Sequence, residues 1–172
     1  RSGAWAREMC IRDRDIHFEV PIHLVSHPET ALRTSGLAVQ RGPLLYALSV
    51  PEHWEPYEAL HAWSRGEPLS YQLVPKRRSG WNVALLIDTD NPESSFSLVR
   101  LRASKTANPW DRRNAPIGLK VKVRKVKNWQ LEGDRLHPET PGMPYKPLDL
   151  SQRISTTTLL PYGSTRLRLA YL

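Results

Sequence analysis

Along most of this chain, apolar and polar residues follow each other with the period of a strand rather than that of a helix. Three runs alternate strictly. Val99 and Leu101 stand against Arg100 and Arg102, Leu119, Val121 and Val123 against Lys120, Lys122 and Arg124, and Leu167 and Leu169 against Arg166 and Arg168. Successive side chains of a strand point to opposite faces, so each run presents an apolar face inward and a basic face outward. Asp15–Val25, Leu37–Val50, Leu69–Val74, Trp81–Asp88, Phe96–Arg102, Ile117–Val126, Thr156–Leu160 and Arg166–Leu172 are the predicted strands. Only Glu55–Ser64 has the look of a short helix, with Pro56 at its start. The stretch Leu136–Leu148, with Pro138, Pro141, Pro144 and Pro147, reads as an extended connection over the surface.

These elements predict an all-β fold, an antiparallel β-sandwich of jelly-roll-like kind. The turns are legible. Arg41-Gly42-Pro43, Asp88–Pro92, Glu132-Gly133-Asp134 and Pro161-Tyr162-Gly163 supply either a positive φ or a ring-fixed one. The Pro-rich connections favour two small β-domains, one inserted in the other: residues 15–50 plus 150–172 as one sandwich, and 51–149 as the second.

Composition narrows the function classes. The chain has 172 residues, 15 Pro, six Trp, one Cys and a net charge of +8. Proline stands well above its usual ~5% and is scattered rather than gathered in one linker, which argues against long helices. No apolar stretch approaches the roughly 20 residues of a membrane-spanning helix, so no membrane partner is expected. One cysteine excludes an internal disulfide and a Cys-rich zinc site. Residues 1–14 carry charges throughout and no apolar segment of the kind a signal peptide needs. Within them Met9-Cys-Ile-Arg-Asp-Arg14 is what one reading frame of a common sequencing adaptor encodes, so this segment is expected to be non-native or disordered.

Each constellation that could carry chemistry has a plainer reading. His17 and His23 share a strand face but lack a third ligand at a recognisable spacing. Asp88 and Asp90 lack the Gly and the distal Glu of a calcium-hand loop, which leaves them as turn formers. Glu52 with Glu55, and Glu132 with Asp134, have the residue types of a glycosidase acid–base pair, yet sequence spacing does not bring them to one pocket. The basic run Lys120, Lys122, Arg124, Lys125 and Lys127, near Trp129, has the makings of a phosphate-tracking face. Its aromatics sit beside turns rather than alternating with the cations, so nucleic acid is not favoured over a solvated strand face.

Six segments taken in order resemble the carboxy-terminal β-domains of glycoside hydrolase family 127, the β-L-arabinofuranosidase-like proteins formerly grouped as a domain of unknown function. Ile16–Pro28 opens the resemblance, and Gly36-Leu-Ala-Val-Gln-Arg-Gly-Pro-Leu-Leu-Tyr46 carries it most strongly, through Gln40, Arg41, Gly42, Pro43 and Tyr46. It continues in Trp81-Asn82, in the segment with Pro109, Trp110 and Pro116, in Val126-Lys-Asn-Trp129 and in Pro161-Tyr162-Gly163. The resemblance implies a structural role for these signature residues. Catalysis in that family belongs to an amino-terminal α-helical barrel with a cysteine nucleophile, a glutamate and zinc-ligating cysteines. No position here matches those motifs, and Cys10 does not sit in one.

The expectation is therefore a non-catalytic β-region of a family-127-like glycoside hydrolase, with no catalytic residue, cofactor or metal of its own, zinc belonging to the catalytic domain of the parent family. Its implied partners are that catalytic barrel, carbohydrate, and a second copy in a homodimer of the parent. The alternative is an autonomous carbohydrate-binding module stacking sugar on Trp54, Trp63 or Trp110. Buried tryptophans would mark a scaffold, and coplanar exposed ones a binding face.

Overall fold

The computed structural model describes residues 18–56, 71–75, 80–102, 108–111, 114–130, 142–165 and 168–172. They form an all-β fold in which every strand pairing is antiparallel. In chain order the strands are β1 (Ile22–His27), β2 (Gly36–Arg41), β3 (Leu44–Ser49), β4 (Glu52–Pro56), β5 (Tyr71–Pro75), β6 (Val83–Leu85), β7 (Phe96–Arg100), β8 (Ile117–Val126), β9 (Leu150–Pro161) and β10 (Arg168–Leu169). Eight belong to one sheet ordered β1-β2-β3-β9-β8-β6, with β7 also pairing along β8 and β10 along β3. Strands β4 and β5 make a separate two-stranded ribbon.

The sheet encloses its core by curling. At one edge the Ile22 backbone N–H of β1 donates to Glu93 Oε1 (3.3 Å), in the 3₁₀ turn Pro92–Ser95 that joins β6 to β7 at the other edge. Between them Val39, Tyr46, Leu48, Val83, Phe96, Leu119, Val121, Val123 and Leu159 pack as one cluster. The strict alternation of β8 does what its pattern predicts, burying Leu119, Val121 and Val123 and exposing Lys120 and Lys122.

Residues 15–50 plus 150–172 were expected to separate from 51–149, and the sheet runs across both boundaries. Strand β8 of the inner segment pairs with β9 of the outer one from Leu119↔Leu159 to Arg124↔Ile154, and the core cluster draws on both. The outer segment also closes on itself, Leu48 pairing with Leu169. The Glu55–Ser64 helix begins differently from its expectation. Glu55 and Pro56 are strand residues of β4 opposite Gln72 and Tyr71, and residues 57–64 lie outside the described set. Pro56 fits a strand end because it cannot donate to a ladder.

The β2–β3 hairpin is built on Gly42 and Pro43, between the paired residues Arg41 and Leu44. Gly42 has φ +56, where a side chain is disfavoured, and a Cβ there would meet Val20 Cγ1 at 2.5 Å. Gln40 Nε2 donates to the Gly42 carbonyl (3.0 Å), fixing the turn from its own strand. Gly42→Ala is expected to lower stability by roughly 1–2 kcal/mol for the left-handed backbone alone, with more added by the Val20 contact. Chemical denaturation of the variant beside the wild type measures it.

Candidate functional site

The residues that carry the family resemblance are held by hydrogen bonds and packing. Asn82 Nδ2 donates to the carbonyls of Val126 (2.9 Å) and Trp129 (3.1 Å), while Val126 N–H donates back to the Asn82 carbonyl (2.8 Å). That clamp fixes the end of β8 and the start of the following turn. Trp81 and Trp129 meet edge to face at 5.3 Å, an arrangement their ring quadrupoles favour. Trp129 is buried, and its indole Nε1–H donates to the Gly142 carbonyl (2.8 Å).

Pro161 ends β9 opposite Tyr46, and the turn Tyr162–Ser164 follows at once. Ser164 and Thr165 are buried polar residues whose hydroxyls donate to the carbonyls of Pro109 (3.1 Å) and Tyr162 (3.2 Å). The Pro116 carbonyl accepts the Leu101 N–H (2.8 Å). Tyr46 lies in the core, where burial raises its phenol pKa and the nearby Arg41 guanidinium pulls the other way.

Of the tryptophans named as sugar-stacking candidates, Trp110 is 56% exposed, with its ring lying against Gly163. Trp63 and the Trp54 side chain lie outside the described residues, as do His17, Glu132 and Asp134 and the side chains of Glu52 and Glu55. Asp88 is a turn former, its Oδ1 accepting the N–H groups of Asp90 (3.0 Å) and Asn91 (3.2 Å). Among the described residues no three His, Cys, Asp or Glu gather to hold a metal ion, and no helix is long and apolar enough to cross a membrane. On the basic face, Lys127 is tied to Asp149 (2.9 Å) and Trp129 is buried, so that aromatic has no face to offer a nucleobase.

What the residue pattern does not announce is a groove of about 490 Å³. It is built where the end of β1, the loop 28–34, Trp129 after β8, residues 142–143, Tyr162 after β9 and the stretch around β10 meet. The loop is held against residues 142–146 by backbone bonds from Thr34 N–H to the Pro144 carbonyl (3.0 Å) and from Lys146 N–H to the Leu32 carbonyl (3.1 Å), and by an ion pair of Lys146 with Glu29.

Two arginines line this groove, and each is positioned by a tyrosine. Arg33 lies 4.3 Å from the centre of the Tyr145 ring and donates to Tyr145 Oη (2.9 Å) and to the Met143 carbonyl (2.7 Å). Its guanidinium occupies the space that a side chain at Gly142 would take. Arg168 lies 3.7 Å from the Tyr162 ring centre and donates to the Thr165 carbonyl. The alternation Arg166–Leu169 predicts an outward, solvated Arg168, yet it is half-buried, because the turn at Tyr162 offers its cation an aromatic face. Opposite, Tyr171 and His27 meet edge to face at 5.2 Å.

Comparison of the chain with known protein families, curated proteins and solved structures finds no match.

Proposed function

We propose that this chain is the non-catalytic β-region of a glycoside hydrolase resembling family 127, a scaffold that buttresses a catalytic α-barrel and borders its sugar cleft. The observation that supports it best is the employment of the signature residues. Gly42 turns a hairpin, Asn82 clamps β8, Trp129 is buried against Trp81, and Pro161 pairs beside Tyr46. Residues spent in this way stiffen a surface for something else to rest on. They leave no nucleophile, acid or base in a shared pocket among the described residues. A barrel carrying the cysteine nucleophile and its zinc ligands would supply the chemistry, and a homodimer of the parent is a further partner in this reading.

Two measurements test it. The chain alone, incubated with an aryl β-L-arabinofuranoside, is expected to release no aryl alcohol above the buffer rate. Turnover by the chain alone overturns the scaffold reading. The DNA encoding the region before residue 15 in the source genome is expected to specify a helical barrel with those cysteines, and an unrelated coding sequence there overturns the family reading.

The second reading, an autonomous carbohydrate-binding module, is favoured by one observation. Trp110 exposes more than half of its surface beside Tyr162-Gly163. It requires neutral oligosaccharides to bind the chain by itself and Trp110→Ala to abolish that binding.

A further inference from the structure

We infer that the free edge of β9 is a docking site for an acidic extended segment of another polypeptide, added to the sheet as a further strand. The edge is the first observation. On one side β9 pairs with β8, and on the other it pairs with β3 only from Leu159 to Pro161. Before that, Gln152, Arg153, Ile154, Ser155 and Thr156 are exposed one after another. A strand solvated on one face alone alternates exposed with buried, whereas this stretch of β9 is open on both faces and along its rim.

Its hydrogen-bonding groups are the second observation. The Leu86 N–H donates to the Lys122 carbonyl (2.9 Å), which directs the backbone of Lys122 toward β6 and away from β9. Facing residues of an antiparallel pair exchange both bonds or neither. Thr156 faces Lys122, so its own N–H and C=O point away from β8 into the open side, and those of Ile154 do the same. Such donors and acceptors are what an extended chain needs to join a sheet.

Charge selects the occupant. Strands β8 and β9 carry Lys120, Lys122, Arg124, Lys125 and Arg153, and neither strand contains an Asp or Glu. Lys120 and Lys122 are exposed on the face that Thr158 and Thr156 share, one strand in from the open edge. The whole sequence, with every Asp and Glu in it counted, is still at +8. A second copy would bring +8 against +8, and cations beside an edge are a common means of keeping neutral strands and copies from pairing there. The same cations attract a strand that carries carboxylates, so they set both the partner admitted and the partners refused. The site does not depend on the glycoside hydrolase reading.

The test adds a blocked peptide of alternating Glu and Thr to the full chain, with the Lys and Thr counterpart as control, and follows amide hydrogen exchange by NMR. In the free chain the amides of Ile154 and Thr156 are expected to exchange faster than that of Ser155, which is directed at β8. The acidic peptide is expected to slow both and to bind at least about tenfold more tightly than the basic one. Methylating its backbone nitrogens, with its charge unchanged, is expected to abolish binding. Lys120→Glu combined with Lys122→Glu is expected to remove the preference for the acidic peptide and to leave the melting temperature near that of the wild type, both side chains being exposed. Unchanged exchange at Ile154 and Thr156 in the wild-type chain, or undiminished binding of the methylated peptide, overturns the strand addition. Equal binding of the two peptides, or an unchanged preference in the folded double variant, overturns the charge argument. A dimer of the free chain in which those two amides are already protected assigns the edge to a second copy and overturns the proposal as well.

Discussion

Trp129→Ala is expected to destabilise the fold by about 3–5 kcal/mol, the range for removing a large buried aromatic. Three losses act together. The cavity is one, since Trp129 is only 4% exposed. The edge-to-face contact with Trp81 is the second, worth about 0.5–1.5 kcal/mol beyond area burial. The third is the indole N–H bond to the Gly142 carbonyl, whose removal leaves that oxygen without its donor. Trp129→Phe separates them, keeping most of the volume while deleting the N–H, and is expected to fall between wild type and Ala. Urea unfolding of the three proteins measures the series, and an Ala variant within about 1 kcal/mol of wild type would refute the anchoring role.

Tyr46→Ala is expected to cost a similar ~3–5 kcal/mol, because Tyr46 is 1% exposed in the central cluster and β3 is flanked on both sides. Its phenol adds a pH signature that a simple cavity lacks. Burial holds the folded-state pKa above the ordinary value of 10.0, with Arg41 opposing it more weakly. The folded chain thus grips the phenolic proton more tightly than the unfolded chain does. That share of the stability is complete below pH ~10 and is lost as the pH rises through the folded value. Tyr46→Phe has no such proton. Melting temperatures of wild type and Tyr46→Phe compared from about pH 8 to about pH 11 are expected to move against the wild type at the alkaline end. Parallel curves throughout would show that the phenol is not linked to folding.

Where local pattern and tertiary environment agree, the strands were readable. Strand β8 spans Ile117–Val126 as its alternation predicts, since from Leu119 to Val123 one face meets the core and the other meets solvent. Strand β9 extends further than the predicted Thr156–Leu160, beginning at Leu150, because its first half carries no apolar alternation. That half, Ser151-Gln152-Arg153, loops past β8 at an irregularity between Arg124 and Val126, where the Ser151 hydroxyl accepts the Lys125 N–H in place of a backbone carbonyl. The Leu37–Val50 run reads as one strand and is two, turned at the Gly42-Pro43 pair that the same sequence displays.

The turn at Gly42 was legible because a glycine followed by proline acts through local backbone shape, and Trp129 is buried as its bulk favours. The groove was not. Its arginines lie 135 positions apart, at Arg33 and Arg168, and each owes its placement to an aromatic residue outside its own periodic pattern. Periodicity describes which face of a strand is wet, whereas a groove is a property of loops meeting at the end of a sheet.

The place of β9 between β3 and β8 carries a consequence for how the chain acquires this shape. Leu48 and Leu159 are partners, so the middle of the sheet is completed by residues synthesised long after β1, β2 and β3. A ribosome emitting this chain holds out an unpaired β3 edge until Leu150–Pro161 has emerged. Such distant pairings must meet the entropy of loop closure before they are rewarded, which makes for slow folding. The rim of β3 is in the meantime an unpaired strand edge, the kind of surface on which chains mispair.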